Sequence, residues 1–285
     1  MKTASNHFFA VADYDLAATL DCGQAFRWRR QENGWHGVIE GRWVGLRQHA
    51  DGIAAETCEP QPDWRWLADY LQTEIDYPRV IASLPADAQL QSAVKAHRGL
   101  RLLRQPPWEC LASFLLSSTK QIVQIRQIIE LLCERFGERV ASPDGAAPWF
   151  AFPTAQRLAL ASESELRGCK MGFRAAYLSA AACAVARGEL ELARLQQLPL
   201  ETARERLMEL DGVGEKIADC VLLFACGHEQ AFPIDVWVAR ALRRYYFRGR
   251  NIPLPRLRAF AAQHWRGSGG YAQQYLFHYA RMAGG

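Results

Sequence analysis

The chain has 285 residues, 49% of them hydrophobic and 22% charged, a balance that fits a soluble globular protein with one or two cores and excludes a disordered polymer. A formal charge of +4 and a pI of about 8.6 permit a nucleic-acid partner without establishing one. The basic residues divide into 29 Arg and only 5 Lys (Lys2, Lys95, Lys120, Lys170, Lys216). Genomic base composition accounts for that bias, but only lysine can lose its proton and attack carbon, so each lysine invites a chemical question.

The N-terminus, Met1-Lys2-Thr3-Ala4-Ser5-Asn6-His7, lacks a long apolar run before a cleavage site, and Asp13 and Asp15 interrupt the next stretch, so no export signal is expected. Eight scattered cysteines (Cys22, Cys58, Cys110, Cys133, Cys169, Cys183, Cys220, Cys226) form no C-x-x-C pair and have no histidine at zinc spacing. The expectation is an intracellular protein, cytoplasmic or nucleoid-associated if bacterial, with reduced thiols, no metal and no membrane partner.

From about Gly23 to Cys58 the pattern predicts an antiparallel meander, with short runs at Ala25 to Arg30, Trp35 to Ile39, Trp43 to Gln48 and Ile53 to Cys58. Asn33-Gly34, Glu40-Gly41 and Asp51-Gly52 supply the small residues that tight hairpins require. Strands are expected only here. From Asp63 onward the periodicity is helical: Ile122, Ile125, Ile128, Ile129, Leu132 and Phe136 recur at three and four, with Gly137 as a stop. Further helices are predicted from Pro106-Pro107 through Phe114, over Glu201 to Leu210 and over Tyr271 to Arg281. The fold class is therefore α+β: a small N-terminal antiparallel β-sheet domain over residues 1–100 and a mainly α-helical domain over 101–285.

The most informative segment runs from Leu207 to Cys220. A helix ending at Leu210 meets Gly212-Val213-Gly214, which opens directly into another helix, the layout of a helix-hairpin-helix. Glycines permit backbone conformations and close approach that a Cβ obstructs, and the free amides of the second helix attract a phosphate without reading sequence. Lys216 and Cys220 are four apart and share a face just beyond that turn. Downstream, Asp235 precedes the helical run Trp237 to Tyr246 and sits where an N-cap belongs. Backbone N–H groups and the helix dipole there favour its ionised form. Taken singly these features have ordinary readings: a plain αα-hairpin, a capping carboxylate, a solvated charge. Together, a carboxylate and an amine suit glycosidic chemistry. The amine must be neutral to attack C1′, whereas a free lysine has a pKa of about 10.4, so burial is expected to assist it. The carboxylate would stabilise positive charge accumulating on the sugar.

Gly-Val-Gly-Glu-Lys, Ala-Asp-Cys and Pro-Ile-Asp-Val within Gly212 to Asp235 resemble the 8-oxoguanine DNA glycosylase/AP lyase family of the helix-hairpin-helix superfamily. Other motifs in order resemble it too: Cys22-Gly23-Gln24-Ala25-Phe26-Arg27-Trp28-Arg29, Arg101 to Pro106 with Glu109-Cys110-Leu111, Gly172-Phe173-Arg174-Ala175-Ala176-Tyr177, and Ala272-Gln273 with Leu276-Phe277. The resemblance implies that Lys216 is the Schiff-base nucleophile and Asp235 its partner. It also implies that Gly23 offers its carbonyl to the N7 hydrogen of 8-oxoguanine, that Phe277 and Cys220 sandwich the flipped base, and that Gln273 bonds its Watson–Crick edge. Phe173 would wedge into the stack and Arg174 face the orphaned base. Gly212, Val213 and Gly214 would hold phosphate, as would the run Arg243 to Arg250 unless that run is merely solvated.

This chain departs from the family where the eukaryotic members have an asparagine-rich stretch and then an arginine: here stand Ser117-Ser118-Thr119-Lys120-Gln121 and Gln124. Thr119, Lys120 and Gln121 remain DNA-facing candidates, with opposite-base choice open. Trp237 replaces a common phosphate-binding histidine, and no cysteine follows Cys226, so the four-cysteine iron–sulfur loop of some repair glycosylases is absent. The implied function is excision of 8-oxoguanine from double-stranded DNA by a monomer without cofactors, followed by β-elimination at the abasic site. Two alternatives stay open at this point: a monofunctional alkylpurine glycosylase in which Asp235 activates water, and a noncatalytic helix-hairpin-helix DNA-binding protein.

Overall fold

The computed structural model describes residues 5–31, 34–118 and 120–283. Its sheet is built from β1 (Ser5–Ala10), β2 (Arg29–Gln31), β3 (Gly34–Ile39), β4 (Arg42–His49) and β5 (Gly52–Thr57), all antiparallel, in the order β1-β5-β4-β3-β2. The meander over β2 to β5 is as expected. Glu40 (φ 48°) and Gly41 (φ 76°) both take left-handed conformations between Ile39 and its partner Arg42, the geometry of a two-residue hairpin that matches strand twist. At the next hairpin His49 pairs with Gly52, so the turn is Ala50-Asp51, one position earlier than expected. Asn33 lies outside the described residues.

Three expectations about strands are corrected. β1 was not anticipated because only Phe9 of its six residues is buried, which leaves an edge strand without alternation. In Ala25 to Arg30, only Arg29 and Arg30 are strand; the residues before them are held to other parts of the chain, with Trp28 Nε1 donating to Tyr70 Oη at 3.0 Å. Strands also occur outside the meander: β6 (Arg139–Val140) pairs with β7 (Trp149–Phe150). Two-residue strands carry no readable period, yet Val140 and Trp149 pack with Val38 and Trp43 as a separate small core against the sheet.

Helices fill the rest. α1 (Leu16–Asp21) is capped by Asp15, whose carboxylate accepts from Ala18 N at 2.8 Å, and α2 (Arg65–Leu71), α3 (Tyr77–Ser83) and α4 (Ala88–Ala96) come after the sheet. The larger body comprises α5 (Pro107–Leu116), α6 (Ile122–Phe136), α7 (Ala155–Ala159), α8 (Glu163–Leu166), α9 (Arg174–Ala186), α10 (Leu200–Met208), α11 (Glu215–Phe224), α12 (Val236–Tyr246), α13 (Leu254–Trp265) and α14 (Gly269–Ala283). α6 buries Ile125, Ile128, Ile129, Leu132 and Phe136 and stops at Gly137, as its spacing predicts. No helix among the described residues is long and apolar enough to cross a membrane. The main core also takes Ala18, Cys22, Leu90, Ala93 and Val94 from the first hundred residues, and α4 packs on α14.

Gln24 fixes the junction. Its fully buried side chain donates to the carbonyls of Thr19 and Arg101, both at 2.8 Å, and accepts from Leu103 N at 2.9 Å. Its own carbonyl accepts from Gln105 Nε2 at 2.7 Å, and Gln274 Nε2 donates to Cys22 O at 3.0 Å. Buried polar groups left unpaired cost about 1–3 kcal/mol each, so this mutual satisfaction locks Gly23, which lies between Cys22 and Gln24.

The hairpin between α10 and α11 rests on one glycine rather than two. Gly212 has φ +83°, and a Cβ there would lie 2.5 Å from the ring of Tyr177 on α9. Gly214, the N-cap of α11, has an ordinary extended backbone (φ −97°, ψ 177°) and open space where a Cβ would go. An ion pair clamps the two helices together: Arg204 Nε donates to buried Asp219 at 2.7 Å and a second guanidinium nitrogen bonds Glu201. We expect Gly212→Ala to lower unfolding free energy by about 1 kcal/mol or more, from the left-handed φ and the Tyr177 collision. Gly214→Ala should leave it within about 0.5 kcal/mol; equal losses in urea melts would contradict this assignment.

Candidate active site

The ends of three helices converge on one cavity of about 1240 Å³. The C-terminus of α5 brings Ser117 and Ser118, the start of α11 brings Lys216 and then Cys220, and the start of α12 brings Asp235 and Trp237. α14 adds Gln273, Phe277 and Arg281 at intervals of four, hence on one face, and the locked junction adds Gly23. Among the described residues lining it, Asp235 is the one carboxylate, against Lys120, Lys216, Arg240, Arg243, Arg244 and Arg281. A large cavity edged with cations and walled by apolar groups suits a base attached to a phosphate backbone.

Lys216 is half-buried in the first turn of α11. Its Nζ donates to Ser117 Oγ at 3.0 Å and lies 5.1 Å from the centre of the Phe114 ring. The Ser117 hydroxyl donates in turn to Phe114 O at 2.7 Å, so its proton is already committed and its lone pair takes the lysine hydrogen. Sequence reading missed Ser117 as a partner of the amine; 99 residues separate the pair, and no local pattern reports such a contact.

Asp235 is the N-cap that its position predicts, accepting from Val238 N at 2.8 Å. The expected shift of its carboxyl is corrected in sign. Burial raises its pKa above the ordinary 3.8 and outweighs the lowering by the Val238 amide and by the charge of Lys216. The sequence shows the cap and not the burial, which is why the dipole argument alone misleads.

The remaining base-pocket candidates also meet at the cavity. Cys220 is 3% exposed, and burial pushes its thiol up to about 12 despite the Lys216 charge, so it presents a neutral apolar surface at ordinary pH. Gln273 is buried with Oε1 free of any hydrogen bond among the described residues. Phe277 lies against Gly23, where a Cβ would come within 3.2 Å of its ring and of Ile122 Cδ1. Gly23 itself has φ +77°. A side chain there would be strained and would intrude on the cavity wall.

Candidates for DNA contact divide. Phe173 is 59% exposed and stands beside the Tyr177 ring, an available wedge. Arg174, by contrast, is 3% exposed, stacks on Phe173 at 4.5 Å and donates to Ser118 O. It therefore ties Phe173 to the Ser117-Ser118 segment instead of projecting outward. Lys120 and Gln121 line the cavity mouth, with Gln121 N bonded to Gln124 Oε1 at 3.1 Å; Thr119 lies outside the described residues. Gly212 and Gly214 are exposed at the hairpin, while Val213 is 6% exposed and anchors the turn in the core. Of the basic run, Arg243 turns back to Ile252 O at 2.7 and 3.0 Å and holds its own loop. Arg240 stacks over Trp237 at 5.1 Å.

Comparison with known proteins agrees with this geometry. Residues 8–111 match the model of the 8-oxoguanine DNA glycosylase N-terminal domain, and 112–266 that of the HhH-GPD superfamily of base excision DNA repair proteins. A probable N-glycosylase/DNA lyase of Methanothermobacter thermautotrophicus is 29% identical over 303 aligned positions, covering 96% of each chain. The N-glycosylase/DNA lyase of Saccharomyces cerevisiae is 31% identical, over 81% of this chain and 68% of that one. The crystal structure of Clostridium acetobutylicum 8-oxoguanine glycosylase/lyase, in complex with dsDNA containing cytosine opposite 8-oxoG, superposes with a TM-score of 0.90. That chain is 32% identical, with 95% of this chain and 92% of that one covered. Two consecutive domain matches and likeness along nearly the whole length lead to one conclusion: the chain belongs to the 8-oxoguanine DNA glycosylase/lyase family, within the HhH-GPD superfamily of base-excision DNA repair proteins.

Proposed function

We propose that this protein flips 8-oxoguanine out of double-stranded DNA, cleaves its glycosidic bond with Lys216 as nucleophile, and then nicks the strand at the resulting abasic site. One observation carries the reading: an amine and a carboxylate, Lys216 and Asp235, share a single cavity beside the helix-hairpin-helix turn. The sheet part (1–100) and the helical part (101–285) work as one unit, since Gly23 from the first and Gln273 and Phe277 from the second line the same pocket. Every one of these residues comes from a single chain, so a monomer suffices.

The hairpin amides, with Lys120, Arg240 and Arg244 at the cavity, take the phosphates, and Phe173 fills the gap left in the stack. Phe277 and Cys220 flank the extruded base, the Oε1 of Gln273 accepts hydrogens from its Watson–Crick edge, and the carbonyl of Gly23 accepts the N7 hydrogen that guanine lacks. Ser117 holds one hydrogen of the Lys216 amine, which leaves the nitrogen lone pair to reach C1′ once the amine is neutral. Asp235, ionised, stabilises the positive charge that grows on the sugar as the base leaves. The C1′–O4′ bond of the sugar ring then breaks, O4′ takes a proton, and the Lys216 nitrogen forms a protonated imine with C1′. Loss of a C2′ proton then expels the 3′ phosphate.

The alkylpurine reading gives the amine no task, whereas here it is held by a hydroxyl and faces the cavity. The test is incubation with duplexes carrying 8-oxoguanine opposite each of the four bases, with and without borohydride. Excision together with a trapped covalent adduct is expected, and absence of both in every duplex would refute the proposal. Lys216→Gln should abolish trapping and slow excision at least about 1000-fold while duplex binding persists. A binding-only protein would show no excision to lose.

Asp235 also sets a pH dependence. A carboxyl with a raised pKa takes up its proton earlier as pH falls, so the acid limb of single-turnover excision should have a midpoint above 3.8. Asp235→Asn should lower the rate about 100-fold or more and flatten that limb. A limb unchanged in the variant would remove Asp235 from the reaction. At the hairpin, Gly214→Ala should keep the melting behaviour and weaken duplex affinity for every sequence alike, because the added methyl occupies the approach to the α11 amides.

A further inference from the structure

Arg281, in the last turn of α14, has a role in none of the steps proposed for Lys216 and Asp235. Its NH1 nitrogen is buried and has no hydrogen-bond partner among the described residues. A basic residue at a helix C-terminus complements the dipole, but that accounts for the charge and not for a buried, unpartnered donor on a residue that lines a cavity. The guanidinium lies at the junction glycine, 3.4 Å from where a Gly23 Cβ would stand, and it lines the cavity that holds Lys216. Its charge is felt by a neighbour on α14: His278, one turn earlier, is driven down to about 4, chiefly by burial and further by His97 and Arg281.

Among the described residues, two that line the cavity from α14 thus carry a buried, unmatched polar atom each, an acceptor (Gln273 Oε1) and a donor (Arg281 NH1), eight residues apart. Eight residues of α-helix span about 12 Å, so the two side chains leave α14 more than two turns apart along the cavity wall. The lesion matches that arrangement chemically. Its N1 and N2 hydrogens lie along one edge, and the oxygen on C8 lies at the far end, away from them. Guanine presents only a C–H bond at C8.

We propose that Arg281 donates a hydrogen bond to the C8 oxygen of the flipped base and acts as a catalytic residue that stabilises the departing purine; this rests on the glycosylase reading. When the C1′–N9 bond breaks, its electron pair leaves with N9. In 8-oxoguanine N9 is bonded to the C8 carbonyl, so that charge spreads onto the C8 oxygen, where the guanidinium meets it. The proton shed by the secondary ammonium formed at Lys216 then neutralises the base. A donor whose bond strengthens as charge develops accelerates the step itself and does more than hold the substrate.

The experiment compares two reactions of the same variants at saturating protein in single turnover: excision from an 8-oxoguanine duplex, and strand nicking with borohydride trapping on a duplex bearing a pre-formed abasic site. Arg281→Met should slow excision about 100-fold while leaving abasic-site nicking and trapping within about twofold, because no base departs in the second reaction. Arg281→Lys, which keeps the charge and a donor without the planar fork, should recover part of the loss. Equal losses in both reactions would make Arg281 a structural or DNA-holding residue, and no loss in either would make it idle; each result overturns the proposal. Wild-type protein lacking both excision and trapping would instead refute the glycosylase reading.

Discussion

The bond from the Lys216 amine to the Ser117 hydroxyl is where the parts of this structure meet, because it joins the helix after the hairpin to the helix that enters the main body. A lysine brought into a cavity without an acceptor would turn away toward water, since an unpaired buried cation is costly. The serine removes that alternative. Its own proton is held by Phe114 O, so it acts as a fixed acceptor, and the position of the amine depends on the backbone of α5. The segment that carries Ser117 is steadied in turn from α9, through Arg174 on Ser118 O. The exposed Phe173 ring thus connects to the Lys216 amine through a chain of contacts.

Electrostatics in the cavity reflect a contest between burial and partners. For Asp235 burial prevails over an amide, a helix dipole and a nearby ammonium. Asp219, one turn beyond Lys216, behaves alike: burial raises it although Arg204 bonds it directly. Asp219, buried, and Asp235, half-buried, thus have different occupations. Asp219 is consumed by the clamp between α10 and α11, while Asp235 keeps an edge toward the cavity. Desolvating carboxylates is unfavourable for stability in itself; Asp235 bears that cost at the wall of a cavity, which marks it as a candidate functional group.

The junction glycine shows a further constraint. Gly23 belongs to the sheet part by sequence, yet its neighbours on either side are fixed by side chains and backbone from the crossover at 101–105 and from α14. The base-sized space exists only because these segments close on one another. Among the described residues, α14 adds one free acceptor, Gln273 Oε1, and one free donor, Arg281 NH1, from residues that line this cavity.

The chain's own letters were sufficient for the meander, for α6 with its Gly137 stop, for the helix-hairpin-helix and for the cap at Asp235, because each is a local matter of periodicity, turn chemistry or capping that a few adjacent residues settle. Several ordered motifs pointed to residues that line one cavity: Gly23, Lys216, Cys220, Asp235, Gln273 and Phe277. What folding alone decided is non-local. The Ser117 partner of Lys216, the inward turn of Arg174 and Arg243, the single strained glycine at Gly212, the edge strand β1 and the unmatched Arg281 depend on distant segments arriving together. The direction of the Asp235 shift belongs with them: capping is written in neighbouring residues, but burial is a property of the whole packed molecule, and here burial is the larger effect.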